Sequence, residues 1–470
     1  MVFSSTVFLF VFLPVTLLGY YILPKAVENY WLLAVSLIFF AWAQPKYLWI
    51  ILLNVAINYV GALLVDRTSE KKGVSKPVLA ITIAANLALL FYFKYFNFTI
   101  DTINQIFRSG LTFEKVILPI GISFFTFQGL SYVVDVYRGE VAVQKNLFKV
   151  ALYITLFPQL VAGPIVRYKD IESEITERSQ TLSDFASGIE RFIIGLGKKA
   201  IIANTMATVA DGVWDAGPGN VLPSVAWLGT VAYTFQIFFD FSGYSDMAIG
   251  LGRMFGFHFN ENFNLPYIST SISEFWRRWH ISLSSWFRDY VYIPLGGNRN
   301  HVYRNLGIVF LLTGIWHGAA WNFVLWGIWN GIFILAERAA GVNKKRNKTA
   351  PQKIIGWIYS IAVVHFGWIL FRAPDLTAAI DMVKNMFGVY DSGNVDFALG
   401  WYLDGWVAAV MLVAALFSSS LPRKFVENLK GSLKADIILP INYIGLILVF
   451  AFSVMRIVAG TYNPFIYFQF

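Results

Sequence analysis

Residues 274–299 read EFWRRWHISLSSWFRDYVYIPLGGNR, and after a short basic loop an apolar run closes on GIWHGAAW at 314–321. Two histidines, His280 and His317, lie here in tryptophan-rich sequence of membrane grade. Ionisable groups at membrane depth cost roughly 2.5–3.5 kcal/mol on insertion scales and mark chemistry or transport. His317 is flanked almost wholly by apolar and small residues, which makes it the first candidate for a functional side chain.

The rest of the chain has the same character. Of 470 residues, 57% are hydrophobic and only 14% charged, where soluble domains carry about 25% charged residues. Apolar runs recur near 3–23, 31–43, 47–65, 78–97, 116–136, 147–163, 190–212, 225–252, 304–336, 354–371, 405–421 and 437–457. A transmembrane β-barrel would show dyad alternation in segments of about ten residues, whereas these runs are continuous and about twice that length. The pattern predicts an all-α, multi-pass integral membrane protein with about 11–12 membrane-embedded helices. No polar linker divides it, so residues 1–470 are expected to form one domain. The first run lacks a positive n-region and a small-residue cleavage site, and reads as a retained span.

The chain has no cysteine, which excludes a cysteine acyl-enzyme, a disulfide, a thiolate metal site and palmitoylation. Its net charge of +9 does not indicate nucleic acid, because the basic residues cluster between apolar runs. The clusters Arg67 to Lys76, Arg338 to Lys353 and Arg423 to Lys434 are placed in the cytoplasm by the positive-inside rule. That puts the N-terminus and the tail after Arg456 on the outer side. Basic loops also suit anionic membrane lipids and a phosphate-rich donor.

Three apolar runs look too short or too broken for simple spans: 31–43, the segment FSGYSD at 241–246 with Asp240 and Asp246 close by, and GIWHG at 314–318. Polar or irregular backbone at membrane depth needs surrounding protein or a water-filled cavity. A cavity or tunnel inside a helical bundle is therefore expected.

On a helix over 274–290, Trp276, Trp279, His280, Leu283, Trp286, Phe287 and Tyr290 share an arc of roughly 120°, with Arg277, Arg278 and Arg288 opposite. This is the pattern of an interfacial amphipathic helix. A plain anchor has no use for His280 on its apolar side. If that face packs on the bundle, Arg277 and Arg278 border an entrance suited to the phosphates of coenzyme A. Around His317 the small residues Gly314, Gly318, Ala319 and Ala320 allow close approach of a backbone or ligand, and Trp316 and Trp321 can wall a slot. Imidazole titrates near neutrality, so His317 can take a proton from a hydroxyl and return one to a leaving group, as acyl transfer from a thioester requires. The bland reading for each histidine is a packed, hydrogen-bonded core residue. His301 reads as solvated, His258 as interfacial and His365 as a lone residue in a plain span. Asp135, Asp240 and Asp246 are polar residues within spans that could set the charge state of the site, with helix-terminus or lipid-interface roles as the alternative. Two histidines with no third ligand nearby make a poor zinc signature, so no metal is implied. Nucleophile-elbow, phosphate-loop and zincin motifs are missing.

The chain resembles the membrane-bound O-acyltransferases, and within them the branch acting on alginate and peptidoglycan, with teichoic acid D-alanyltransferases more distant. The likeness rests on MVFSSTVFLFVFLPV at the start, LPIGISFFTFQGLSYVVDVYRG at 118–139, FPQLVAGPI at 157–165, FDFSGYSDMAIGLG at 239–252, ENFNLPYIS at 261–269, the 274–299 block, GIWHGAAWNFVLWG at 314–327 and FIYFQF at 465–470. It covers nearly the whole chain. The resemblance implies a ring of tilted helices around a tunnel, a cytoplasmic acetyl-CoA donor and an acceptor approaching from outside. It also implies a place in a bacterial inner membrane and an extracytoplasmic partner transferase of the SGNH type. His317 matches the family's catalytic histidine, in its WHG motif, and His280 the second characteristic histidine, in WRRWH.

The expected activity is thus O-acetylation of an exported polysaccharide, alginate or peptidoglycan, with His317 as general base and His280 lining the tunnel. A D-alanyl transferase and a non-enzymatic glycan or lipid transporter are the alternatives. Tyr467, three residues from the end of FIYFQF, is a candidate acetyl relay: its phenol, deprotonated by His317, could attack the thioester and give a reactive aryl ester. The competing reading of those residues is an aromatic interface anchor.

Overall fold

The sequence codes helix almost throughout, and the computed structural model follows it. It describes residues 1–161, 163–342, 349–389, 398–432, 435–460 and 462–466. Among the described residues there is no strand. Six helices there are long and apolar enough to cross a membrane, or seven if the bent pair Gly405–Phe417 and Leu421–Leu429 is one span. The remaining apolar runs form shorter or more polar helices. Packing divides the chain into two compact units, residues 1–192 with 247–260, and residues 193–246 with 261–470.

In the first unit, helices α1 (Phe8–Ile22), α2 (Lys25–Ala43), α3 (Pro45–Arg67) and α4 (Gly73–Phe107) come in succession. The run at 31–43 is therefore no fragment: α2 starts six residues earlier, after Pro24, and is a full 19-residue helix. Polar Lys25, Glu28 and Asn29 hid its first two turns. Helix α5 (Ile122–Arg138) is bounded by Gly121 at φ 76° and Gly139 at φ 70°, left-handed positions that suit glycine. A Cβ on Gly121 would also stand 2.7 Å from the Leu160 carbonyl oxygen. Buried amides join α3 to α4: Asn54 and Asn58 donate to Asn86 Oδ1 at 2.8 and 3.0 Å. In an apolar interior such groups must find one another. The run at 147–163 is not one span either. It breaks after α6 (Leu147–Thr155) into the short helix Phe157–Leu160, where Pro158 lies.

The chain passes between the units within α7 (Leu182–Ala216) and α8 (Pro223–Met254). Helix α8 corrects another expectation: it runs 32 residues with no break at FSGYSD. Its two carboxylates, Asp240 and Asp246, are instead paired with lysines of α7.

The second unit continues with α9 (Ile272–Arg278), α10 (Ile281–Phe287), α11 (Val302–His317), α12 (Trp321–Ala339) and α13 (Ala350–Arg372). The 304–336 run is not a single span. It folds into a hairpin at Gly318–Ala320, and α11 and α12 pack glycine to glycine. A Cβ on Gly327 would lie 2.5 Å from the Phe310 carbonyl oxygen and 3.1 Å from Gly314 Cα. Helix α13 then runs antiparallel to α12, with Trp329 donating to Val363 O at 3.0 Å, Trp326 stacked on Trp368 at 6.0 Å and Phe323 against Phe371 at 5.0 Å.

Candidate active site

His317 is the last residue of α11, where the chain leaves the helix to make the hairpin. It is 2% exposed. Three rings hold its imidazole edge-on: Trp316 at 5.0 Å, Trp326 at 4.9 Å and Phe371 at 5.2 Å between centroids. Trp321 was expected to wall this slot and does not. It opens α12 facing outward and is 52% exposed; Trp326, one and a half turns on, takes that place.

The 274–290 segment is not one helix. It breaks at Trp279–His280, and His280 has φ 44° and ψ 56°, a left-handed conformation whose strain is of order 1–3 kcal/mol for a residue with a side chain. The break carries His280 off the amphipathic wheel and fully buries it. Asn262 pins the turn. Its backbone oxygen accepts from Ile281 N at 2.9 Å. Its Oδ1 meets Ser282 N at 3.3 Å, Ser282 Oγ at 2.9 Å and His280 Nδ1 at 3.0 Å. A backbone N–H can only donate, so that amide oxygen is the acceptor and Nδ1 carries the proton. Neutral His280 therefore keeps its lone pair on Nε2. Trp316 lies 6.0 Å from the His280 ring and links the two histidines.

The Trp-Arg segment is fastened to the hairpin by Glu337, which accepts from Ile272 N at 2.5 Å and Ser273 N at 2.9 Å at the start of α9. That sets Trp276 against Trp326 at 5.5 Å. Beside it lies a cavity of about 850 Å³ lined by Trp276, Arg277, His301, Phe310, Glu337 and Arg338. Arg277 is one of the residues lining this cavity. Arg278 is turned away into an ion pair with Glu274 at 2.9 Å.

A second cavity, of about 260 Å³, is lined by Asp211, Tyr233, Gln236, Asn322, Phe371 and Arg372, with Pro464 and Ile466 beside them. Gln236 Oε1 and Asn322 Oδ1 are buried acceptors without a hydrogen-bond partner among the described residues. Asp211 and Arg372 pair at 2.6 Å. The first cavity touches the C-terminal end of α12 and the second its N-terminal end. This helix of 19 residues is about 28 Å long at 1.5 Å per residue. His317 stands between them, one ring (Phe371) from the smaller cavity and two rings (Trp326, Trp276) from the larger.

The carboxylates of α8 were expected at helix termini, at the lipid interface or beside the site. They prove to be in ion pairs with α7: Asp240 with Lys199 and Asp246 with Lys198, each at 2.6 Å. Asp135 is buried in α5, in the first unit. His365 is also buried and shares a hydrogen bond with Thr234 Oγ1 at 2.9 Å. His301 is exposed, at the start of α11. His258, in the loop after α8, bonds Glu174 Oε1 through Nδ1 at 2.8 Å. Tyr467 lies outside the described residues. The sequence reading missed Lys199, Asn262, Gln236 and Asn322. Only the lysines left a signal, as KK at 198–199 inside the apolar stretch IIGLGKKAIIA.

A buried histidine between two separate cavities, in a helical membrane protein, can be compared with known proteins. The family model of MBOAT, the membrane-bound O-acyltransferase family, matches residues 88–373. The chain belongs to this family. Its relatives include the protein named "probable alginate O-acetylase" of Pseudomonas putida, 42% identical with all of both chains covered. The peptidoglycan O-acetyltransferase of Helicobacter pylori is 36% identical over 83% of this chain and 80% of its own. The teichoic acid D-alanyltransferase of Bacillus subtilis is 30% identical over 55% of this chain and 69% of its own. This chain is thus a membrane-bound O-acyltransferase, and both cavities, His280 and His317 lie in a unit that the family match largely spans.

Proposed function

We propose that this O-acyltransferase moves acetyl groups from acetyl-CoA on the cytoplasmic side to the outer side, for O-acetylation of an extracytoplasmic polysaccharide such as alginate or peptidoglycan. The observation that carries this reading is the position of His317 between two cavities at opposite ends of one membrane-length helix. The larger cavity borders Arg277 and Arg338, cations that suit the phosphates of coenzyme A. The smaller one offers two accepting oxygens to a group rich in hydroxyl or N–H donors.

In the reaction, His317 takes the proton of the acceptor hydroxyl as its oxygen attacks the thioester carbonyl. The tetrahedral intermediate collapses, the C–S bond breaks, and the departing sulfur takes up the proton. His280, with Nδ1 tied to Asn262, presents Nε2 as a fixed lone pair that orients donor or acceptor. Tyr467 serves as the first acceptor, holding acetyl as an aryl ester until an extracytoplasmic SGNH-type transferase removes it to the polymer. The identity to alginate and peptidoglycan O-acetylating relatives supports the polysaccharide reading over D-alanyl transfer and over transport without chemistry.

The test is sided. Purified protein is sealed into vesicles, and acetyl-labelled acetyl-CoA is supplied from the side bearing Lys345. Label should become attached to Tyr467, and its removal should require an acceptor on the opposite face. Intact acetyl-CoA, with no CoA released and no label on Tyr467 or on polymer, would favour the transporter. Full polymer acetylation by Tyr467→Phe would remove the relay and leave the anchor.

A further inference from the structure

The smaller cavity has one wall that is not a helix. Residues 462–466 are held there by contacts along their length. Lys199 Nζ donates to Pro464 O, and Asp240 Oδ2 accepts from Ile466 N at 2.9 Å. Asn204 Nδ2 donates to Asn463 Oδ1 at 3.2 Å, and the Tyr462 hydroxyl donates to Asp211. Phe465 packs on Tyr244 at 4.7 Å, with the Lys199 ammonium 5.8 Å from its ring. Lys199 and Asp240 also pair with each other, and their side chains are only 4% and 2% exposed.

A buried ion pair is a poor way to gain stability, because desolvation offsets most of the Coulomb attraction and an apolar pair of similar volume serves as well or better. This pair does something an apolar pair cannot. It presents a donor and an acceptor to the backbone of 462–466, which lies outside any helix through Phe465 and so has few helical partners for its polar groups. We propose that Lys199 and Asp240 are positioning residues that seat 462–466 as a wall of the smaller cavity and so fix the point from which the next residue, Tyr467, starts. This rests on the relay reading above. Consecutive Cα atoms are about 3.8 Å apart, so fixing Ile466 fixes the origin from which Tyr467 reaches.

The experiment uses the full chain in detergent with labelled acetyl-CoA, reading CoA release and label on Tyr467. Lys199→Met and Asp240→Asn should each lower kcat by about tenfold or more, with KM for acetyl-CoA unchanged. Each single variant leaves one buried group without its mate, so a folding defect must be separated from a positioning defect. The neutral double variant Lys199→Met/Asp240→Asn removes both charges and should fold, yet remain as slow as either single. In a Lys199→Met background, cysteines at Asn204 and Asn463, joined by a short bismaleimide, should restore turnover. The chain's lack of cysteine makes that linkage specific. A linked, folded protein that stays slow would overturn the proposal, as would wild-type turnover in Lys199→Met. The relay fails separately. If Tyr467→Phe still acetylates polymer while the linkage rescues Lys199→Met, the seat stands and the phenol is not the carrier.

Discussion

His317 and His280 lie close together around Trp316, yet they are held by opposite means. His317 is boxed by three aromatic rings, whereas the His280 ring proton is assigned by an amide oxygen, Asn262 Oδ1. Rings fix where an imidazole sits without choosing which nitrogen carries the proton. An amide oxygen fixes the tautomer. A side chain that must take up a proton and give it away is served by the first arrangement. One that must present a constant lone pair is served by the second. The contrast agrees with the roles proposed above, proton transfer for His317 and orientation for His280.

The contrast can be broken from either side. Gly327→Leu should act most strongly: with 2.5 Å between its would-be Cβ and Phe310 O, the side chain must push α12 away from α11. Overpacking of this kind costs typically 1–3 kcal/mol, occasionally more. The expected result is a loss of both activity and folded protein, read by thermal scanning in detergent. Asn262→Leu attacks only His280. It strips the acceptor from Nδ1 and from Ser282 N, and about 1–3 kcal/mol of stability should go with the unsatisfied donors. Turnover should fall about 10–100-fold, the range typical when the orienting partner of a metal-bound histidine is removed, taken here as a guide. Equal transfer rates in Asn262→Leu and wild type would deny His280 its orienting role.

Phe371→Leu thins the single ring between His317 and the smaller cavity. It should cost a few-fold in transfer and raise acetyl-CoA hydrolysis, as water gains access. Unchanged partition between transfer and hydrolysis would mean that Phe371 is not the barrier. His258→Gln, in the first unit while both site histidines belong to the second, is the smallest effect. Burial pulls the His258 imidazole down, but its hydrogen bond to Glu174, followed by Asp184, outweighs this and leaves its pKa raised. The stabilisation is therefore present in full below the unfolded value of about 6.5 and is lost as pH rises through the higher folded value. Wild type and His258→Gln should differ in melting temperature at pH 5.5 and converge at alkaline pH. With the imidazole side chain 48% exposed, the difference should be small.

Much of this was legible in the residues. Hydrophobic run length gave the helical membrane class, and a histidine among Trp and Gly singled out His317 as a candidate. The breaks were harder. Helix α8 runs unbroken through Ser242, Gly243 and Ser245, and its two carboxylates meet Lys198 and Lys199 of α7, partners more than forty residues away in sequence. The Trp-Arg segment breaks because Asn262 reaches into it from an upstream loop. No periodicity within 274–290 records that contact, so a smooth helical wheel misplaced His280. The hairpin at Gly318 follows from small residues already visible in the sequence, but which tryptophan would face His317 depended on how α12 folds back.

The claim that His317 is the base between donor and acceptor is tested most directly by His317→Ala in a strain that O-acetylates its polymer. Acetate content per repeat and membrane-inserted protein are measured together. Removing a general base costs typically about 10²–10⁴ in rate. Expected is normal protein in the membrane with polymer acetylation at background. Near-wild-type acetylation at normal protein level would contradict the account.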